Sequence, residues 1–362
     1  MRRVWQSSVL NPSSLLQLFL AGLVASFFPG SGAAADEPKL QMSEIMIPSG
    51  DEGVQLYVRN KHLPGAESSA DKILLFVHGA TYPAETAFDL PIEGVSMMDL
   101  IAARGYDVYL VDVRGYGRST RPAEMSAPPE ANRPIVSTKV AAHDLGAAVD
   151  YILSKRKVSK INLMGWSWGT SIAGLYTSEH NDKINRLVLY APQWIRNEPP
   201  VIAPANGAPL GAYRRVSKEQ AKARWLKGVP ENKQADLIPP GVFDAWATAT
   251  WATDPESSNQ NPPMLRAPNG VVEDSANTWS AGKALYDPGK ITVPTLLLHA
   301  EWDADLPSYL AQGYFAQLKN APYKRLIELS EGTHTVMLEK NRMQFFHELM
   351  GFLDEERPLA LK

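Results

Sequence analysis

The sequence predicts an α/β protein: a mostly parallel central sheet with helices on both faces and an inserted lid. Short apolar runs alternate with longer stretches of helical periodicity from Ile73 to Tyr190. That is the pattern of strands buried on both faces and joined by crossover helices. The alternation breaks near residue 192 and resumes at Thr295, and no repeat or heptad run competes with it.

The elements follow in order. Two short strands, near Ile45 and at Leu56–Val58, are expected to form an antiparallel edge. Ile73–Val77 is a five-residue apolar run ending at His78-Gly79, which reads as a buried strand. Met97, Met98, Leu100 and Ile101 mark a helix, and Val108–Val111 is the next strand, ending at Asp112. Val140, Leu145, Val149 and Ile152 form the stripe of a helix over 137–154. Ile161–Met164 is a strand, 168–180 a helix and Leu187–Tyr190 a strand. Residues 193–285 are rich in proline yet hold five of the nine tryptophans (Trp194, Trp225, Trp246, Trp251, Trp279). A linker would not be so aromatic, nor a sheet layer so rich in proline, so helices and loops forming a lid are expected there. Thr295–Leu298 then reads as a strand, 307–319 as a helix, Lys324–Leu329 as the last strand and 336–353 as a C-terminal helix.

Composition narrows the class. With 44% hydrophobic and 21% charged residues the chain has an ordinary globular composition. Its 36 basic and 39 acidic side chains leave no cationic excess for nucleic acid. The absence of cysteine removes disulfides, thiolate metal sites and cysteine nucleophiles. Met1-Arg2-Arg3, an apolar stretch from Leu15 to Phe28 and Ala33-Ala34-Ala35 before Asp36 have the order of a secretory signal peptide. That apolar stretch is shorter than the ~20 residues of a membrane-spanning helix. The expected organisation is therefore a signal peptide at 1–35, core at 36–192, lid at 193–285 and core again at 286–362. The mature chain is expected to be secreted or periplasmic, with no stable membrane span; the sequence leaves its oligomeric state open.

The strongest chemical signal is Gly165-Trp166-Ser167-Trp168-Gly169, a G-x-S-x-G between an expected strand and an expected helix. The turn must be tight, and glycines two residues either side of Ser167 remove side chains that would collide in it. A strained turn of this kind holds the Ser167 hydroxyl clear of the sheet. It also leaves the Trp168 N–H at the positive end of a helix, suited to an oxyanion. A serine hydroxyl needs a base, and the base needs an orienting carboxylate. Of seven histidines, His334 lies in the loop after the last strand; the others fall in strands, helices or a polar loop. Glu301, Asp303 and Asp305 follow the strand at Thr295. Asp303 is the choice, because a short loop brings it out at the right edge, while Asp305 fits a helix N-terminus. His78-Gly79-Ala80 follows the first long strand, where Ala80 N–H could be a second oxyanion donor. His78, Gly79, Trp166 and Trp194 are candidate substrate-pocket residues.

The Ser…Asp…His order, the elbow, the His78-Gly79 turn and Asp112-Val113-Arg114-Gly115-Tyr116-Gly117-Arg118-Ser119 resemble the α/β-hydrolase superfamily over residues 45–192 and 286–353. The resemblance implies the α/β-hydrolase fold, with Ser167 as nucleophile, His334 as base and then acid, and Asp303 as orienter. It also implies that the segment at 112–119 shapes the site without doing chemistry. Gly-x-Ser-Trp-Gly is similar to the proline iminopeptidase branch, from which the chain departs at Trp166, usually glycine, and at Val113, usually glutamine. Serine at the elbow sets it apart from dehalogenases and epoxide hydrolases, which use aspartate.

Other signals are weaker. Gly115-x-Gly117 has Thr120 where a dinucleotide fingerprint needs glycine, and His347-Glu348 has Gly351 where a helical zinc site needs histidine. Residues 212–228 hold Arg214, Arg215, Lys218, Lys222, Arg224 and Lys227 against Glu219 alone. They read as the solvated face of a lid helix, the alternative being attraction of an anionic substrate or membrane surface. The lid tryptophans either line a substrate pocket or form the lid's own core. The expected function is hydrolysis of a small-molecule carboxylic ester or similar acyl substrate through an acyl-enzyme, without cofactor or metal. The alternatives are a serine aminopeptidase and a binding protein on a hydrolase scaffold.

Overall fold

The computed structural model describes residues 39–65, 69–196, 198–199, 202 and 209–356. The expected signal peptide lies outside the described residues. Strands β1 (Gln41–Pro48), β2 (Gln55–His62) and β3 (Ile73–Val77) lead into the short helix α1 (Ala84–Phe88), α2 (Met97–Ala103) and strand β4 (Asp107–Val111). Helix α3 (Thr138–Arg156), β5 (Ile161–Trp166), α4 (Trp168–Glu179) and β6 (Ile184–Tyr190) complete the first half.

The chain then leaves the sheet for a segment containing β7 (Tyr213–Val216), α5 (Lys218–Trp225), α6 (Gln234–Leu237), α7 (Val242–Ala252), β8 (Leu265–Pro268) and α8 (Gly270–Asn277). It returns through β9 (Thr295–Ala300), α9 (Ser308–Gln317), β10 (Lys324–Leu329) and α10 (Arg342–Leu353).

The eight-stranded sheet runs β1-β2-β4-β3-β5-β6-β9-β10. The β1–β2 and β2–β4 pairings are antiparallel; every pairing from β4 onward across the sheet, β4–β3 to β9–β10, is parallel. All residues of β3, β4, β5 and β9 are buried, so both faces of the sheet centre are covered. Side chains set several helix starts. Ser96 and Asp99 form a capping box at α2, Ser217 and Gln220 another at α5, and Ser137 accepts from the Val140 N–H at α3. Because parallel strands end on one side, the loops after β3, β5, β9 and β10 share an edge, the place where open α/β sheets build sites.

Two details differ from the sequence expectation, the inserted segment's make-up and the C-terminal helix, and the open alternative for the tryptophans is decided. The segment between β6 and β9 is not only helices and loops, since β7 and β8 form a two-stranded antiparallel sheet. Its tryptophans do not line a pocket with Ser167. Trp225, Trp246 and Trp251 build a second hydrophobic cluster, while Trp194 and Trp279 pack into the main core. The C-terminal helix is broken as well: a 3₁₀ turn at Val336–Leu338 precedes α10. Glu339 sits in the break with its carboxyl turned inward, where it holds the preceding loop instead of continuing a helical face.

Candidate active site

Strand β5 turns into α4 at Ser167, whose backbone takes φ 58° and ψ −121°, a strained conformation for a residue with a side chain. The flanking glycines permit it. A Cβ on Gly165 would stand 2.1 Å from the Gly169 carbonyl oxygen, and one on Gly169 would stand 2.5 Å from that of Val77. The elbow is held by the Ser167 N–H donating to Tyr190 O (2.9 Å) and by the Thr170 N–H donating to Ser167 O (2.9 Å). Among the described residues, neither the Ala80 nor the Trp168 N–H donates to another protein acceptor. Both residues line the small cavity that also holds Ser167, so both donors remain available there.

The loop after β9 carries Asp303 and the loop after β10 carries His334. Asp303 Oδ1 accepts the N–H groups of Asp305 (2.9 Å) and Leu306 (3.0 Å), and Oδ2 stands 2.8 Å from His334 Nδ1. A carboxylate facing Nδ1 fixes the proton on that nitrogen and leaves Nε2 as the ring's acceptor. Burial alone would raise the Asp303 pKa, but the His334 charge and the hydrogen bonds outweigh it and hold the carboxyl below its usual range. Burial alone would likewise lower the His334 pKa, yet the Asp303 carboxylate holds it above the ordinary histidine value. Trp166 braces the same loop: its Nε1–H donates to His334 O (2.8 Å), and its ring lies 5.4 Å from the imidazole.

The remaining candidates sort differently. Asp305 is not at the start of α9, whose N-cap is Pro307; its carboxylate pairs with Arg224 of α5 at 2.5 Å. Glu301 is turned to the outer loop, where it accepts the Glu331 N–H. His78 is fully buried beneath the site. Its Nε2 accepts the Val113 N–H and its Nδ1 donates to Gly79 O, and burial brings its pKa down to about 4. It is a neutral strut for the loop at Asp112, not a cavity wall. Gly79 packs against Ser167, where a Cβ would come within 3.0 Å of the serine Cβ. Trp194 stacks edge-on against Tyr314, 5.2 Å away, and lines a different surface groove.

Two site residues, Glu339 and Arg196, carried no readable sequence signal. Glu339 receives the Thr333 N–H (2.9 Å), the Thr333 hydroxyl and Trp225 Nε1–H (2.8 Å), fixing the residue just before His334. Burial outweighs these donors and pushes its pKa up to about 7. Arg196 and Arg224 line the cavity beside Ser167, and Arg214 donates to Ala80 O (2.5 Å). The lid cations were expected on a solvated face. Arg214 and Arg224 instead turn inward, because β7 and α5 pack over the loops after β3 and β9. A larger cleft of 850 Å³ between α3, α4 and the end of β1 contains none of these residues. Among the described residues, no cluster of three or more histidines and carboxylates could hold a metal ion.

A mostly parallel sheet whose central strand turns into a serine-bearing elbow defines an α/β hydrolase. The sequence agrees independently: residues 72–341 match the model of the family described as alpha/beta hydrolase fold, and the chain belongs to that family. No curated protein sequence matches it. Similar solved structures include 2-hydroxy-6-oxo-6-phenylhexa-2,4-dienoate hydrolase from Rhodococcus sp. strain RHA1. That match has 17% identity and a TM-score of 0.54, and covers 88% of this chain and 100% of that one. Est816, an N-acyl homoserine lactone degrading enzyme, matches at 17% identity and a TM-score of 0.56, covering 85% and 100%. A thermophilic esterase from Thermogutta terrifontis matches at 16% and 0.54, covering 86% and 98%. At such identities the likeness is one of fold.

Proposed function

We propose that the protein is an exported serine hydrolase that cleaves a carboxylic ester through an acyl-enzyme. The observation that carries this reading is the 2.8 Å contact between His334 Nδ1 and Asp303 Oδ2, on loops at the same sheet edge as the strained Ser167 elbow. In the proposed reaction His334 Nε2 takes the Ser167 proton as Oγ attacks the carbonyl carbon. The Ala80 and Trp168 N–H groups hold the developing oxyanion, a contribution worth roughly 10²–10³ in rate for each donor. His334 returns the proton to the departing alcohol. Water then repeats the sequence on the acyl-enzyme, releasing the acid and restoring Ser167. Asp303 orients the imidazole and stabilises its charged form.

The Ser167-Trp168-Gly169 similarity favours a second reading, an aminopeptidase of the proline iminopeptidase type. An amine substrate needs an available carboxylate, and the one in the cavity, Asp305, is already paired with Arg224. The ester reading is therefore preferred. The test is kcat/KM for p-nitrophenyl butyrate beside prolyl and alanyl p-nitroanilides, with Ser167→Ala as control. Ester turnover lost in the variant, with silent anilides, is the expected result. Dominant anilide turnover moves the assignment to a peptidase, and activity unchanged in Ser167→Ala removes serine catalysis. Export rests on the N-terminal pattern alone, and fractionation of the expressing cell checks it.

A further inference from the structure

Among the described residues, the charged lining of the cavity beside Ser167 is two arginines, Arg196 and Arg224, and one carboxylate, Asp305. Arg196 is buried, its Nε has no hydrogen-bond partner among the described residues, and its carboxylate neighbour, Glu198, stands 4.0 Å away on a largely exposed side chain. Arg224 gives its Nε to Asp305 at 2.5 Å, while its Nη1 has only a long 3.4 Å approach to Thr81 Oγ1. Arg214 donates to the carbonyls of Ala80 and Pro268 and to the Thr81 hydroxyl, all neutral acceptors, and makes no ion pair with a carboxylate among the described residues. Burial, with the like charge of Arg224 adding to it, holds its pKa below the usual arginine value.

Arg196 and Arg224 thus line the cavity with Asp305 as its one lining carboxylate among the described residues, and Arg214 stands behind Arg224 across the shared Thr81 hydroxyl. Buried cations without counter-charges are costly in a folded protein, and retaining them suits a site whose ligand brings the missing charge. The inner cavity measures only 30 Å³, room for a couple of waters or one small polar group. Through Ile202 and Arg224 it borders an outer groove of 690 Å³, where Arg215 and Lys227 face Glu130 alone. The same sign of charge thus extends from the entrance to the serine, an arrangement that concentrates anions.

We infer that the enzyme's substrates carry a carboxylate a few carbons from the scissile carbonyl, received by Arg196 and Arg224. A carboxylate matches the guanidinium fork with two parallel hydrogen bonds, a geometry lysine cannot reproduce. The inference rests on the serine-hydrolase reading and adds the substrate class to it.

Two matched pairs test it on the full chain. Mono-4-nitrophenyl adipate against 4-nitrophenyl hexanoate places the charge on the acyl side. 4-Acetoxybutanoate against butyl acetate, followed by acid release, places it on the alcohol side. In each pair a carboxylate replaces a methyl group at the same position. The expected result is a kcat/KM ratio of at least ~10 in favour of the anion in one pair, falling as salt is raised. Arg224→Gln and Arg196→Gln are each expected to lower that ratio about 10-fold or more, an effect that a general loss of structure would not produce. Arg224→Gln strands Asp305 and could unfold the loop; Arg196 has no close carboxylate to strand, so its variant keeps the test decisive. A ratio of one or below in both pairs, or a ratio untouched by either substitution, overturns the inference. Ser167-dependent turnover of the neutral esters with no preference for the charged ones sinks this inference alone. No Ser167-dependent turnover of any of the four sinks the hydrolase reading with it.

Discussion

Replacing Asp303 by asparagine should abolish catalysis while leaving the fold almost untouched, and the hydrogen bonds around the carboxylate say why. Oδ1 accepts two backbone N–H groups, from Asp305 and Leu306, and Oδ2 faces His334 Nδ1. An asparagine must keep its oxygen toward the two N–H groups, because turning its NH₂ there would leave two buried donors facing a donor, at about 1–3 kcal/mol each. The NH₂ then faces His334 and needs an acceptor. The imidazole can satisfy it only by moving its proton from Nδ1 to Nε2, the nitrogen that should receive the Ser167 proton. The wrong tautomer is expected to lower kcat by about 10⁴, or roughly 5–6 kcal/mol of transition-state stabilisation. The assay is kcat/KM on p-nitrophenyl butyrate beside a thermal melt. A melt within a few degrees of the parent, with activity down by three orders of magnitude or more, is the expected pair. The pH profile adds a second readout. With Asp303 in place the acidic limb should lie above the ordinary histidine value, whereas Asp303→Asn removes the main opposition to burial, leaving Asp305 alone to raise it, and moves any residual limb downward. Activity above a tenth of the parent in Asp303→Asn would refute the triad geometry.

Three further perturbations probe the scaffold around the site. Glu339 has a folded pKa of about 7 against 4.5 for an unperturbed glutamate, so the folded state holds the proton more tightly than the unfolded one. Its contribution is then greatest below pH 4.5 and falls by about 3 kcal/mol as pH rises to 7 and above; the parent's melting temperature should decline relative to Glu339→Gln across that window. A parent-minus-variant difference that stays flat with pH would contradict the buried carboxyl. Gly169→Ala puts a Cβ 2.5 Å from Val77 O and 2.6 Å from His78 O, both backbone atoms that cannot yield. It should give insoluble or grossly destabilised protein in a solubility assay. Trp246 is 1% exposed among Tyr82, Trp225, Phe243 and Trp251, so Trp246→Ala should cost about 3–5 kcal/mol in a denaturant titration.

How much was legible follows from the range of the forces involved. The strand at Ile73–Val77 and the helix beginning near 137 are legible, the first because burial on both faces makes it one apolar run, the second because one buried face imprints a period near 3.6. The Ser167 elbow was legible because its glycines answer a steric demand made within five residues. Asp303 and His334 could be chosen through loop position, since parallel strands deliver their following loops to one edge. Glu339 could not. Its role depends on Thr333, six residues before it, and on Trp225, more than a hundred residues away, and a lone glutamate near a helix start looks like any other. The arginines were misread for a related reason. Charge density between 212 and 228 suggested a wet surface, and the sequence contains no sign that β7 and β8 pair and turn Arg214 inward beneath it.

Helix α5 links Glu339 and the inward arginines mechanically. Its Arg224 holds Asp305, two residues beyond Asp303, and its next residue, Trp225, donates to the Glu339 carboxyl that fixes Thr333, just before His334. One short helix of the inserted segment therefore braces both loops on which the proposed orienter and base are carried. The bracing is polar and local: one charged pair and one hydrogen bond to a carboxyl, worth a few kcal/mol together. Swinging the whole segment away to admit substrate would break both links and leave Asp305 and Glu339 without those donors. Access that leaves α5 in place avoids that loss, and the outer groove beside β7 and α5 shares Ile202 and Arg224 with the cavity that holds Ser167. A route through that groove would keep both loops intact and is lined with arginine, so on the proposed reading a substrate meets the cationic wall before it meets the serine.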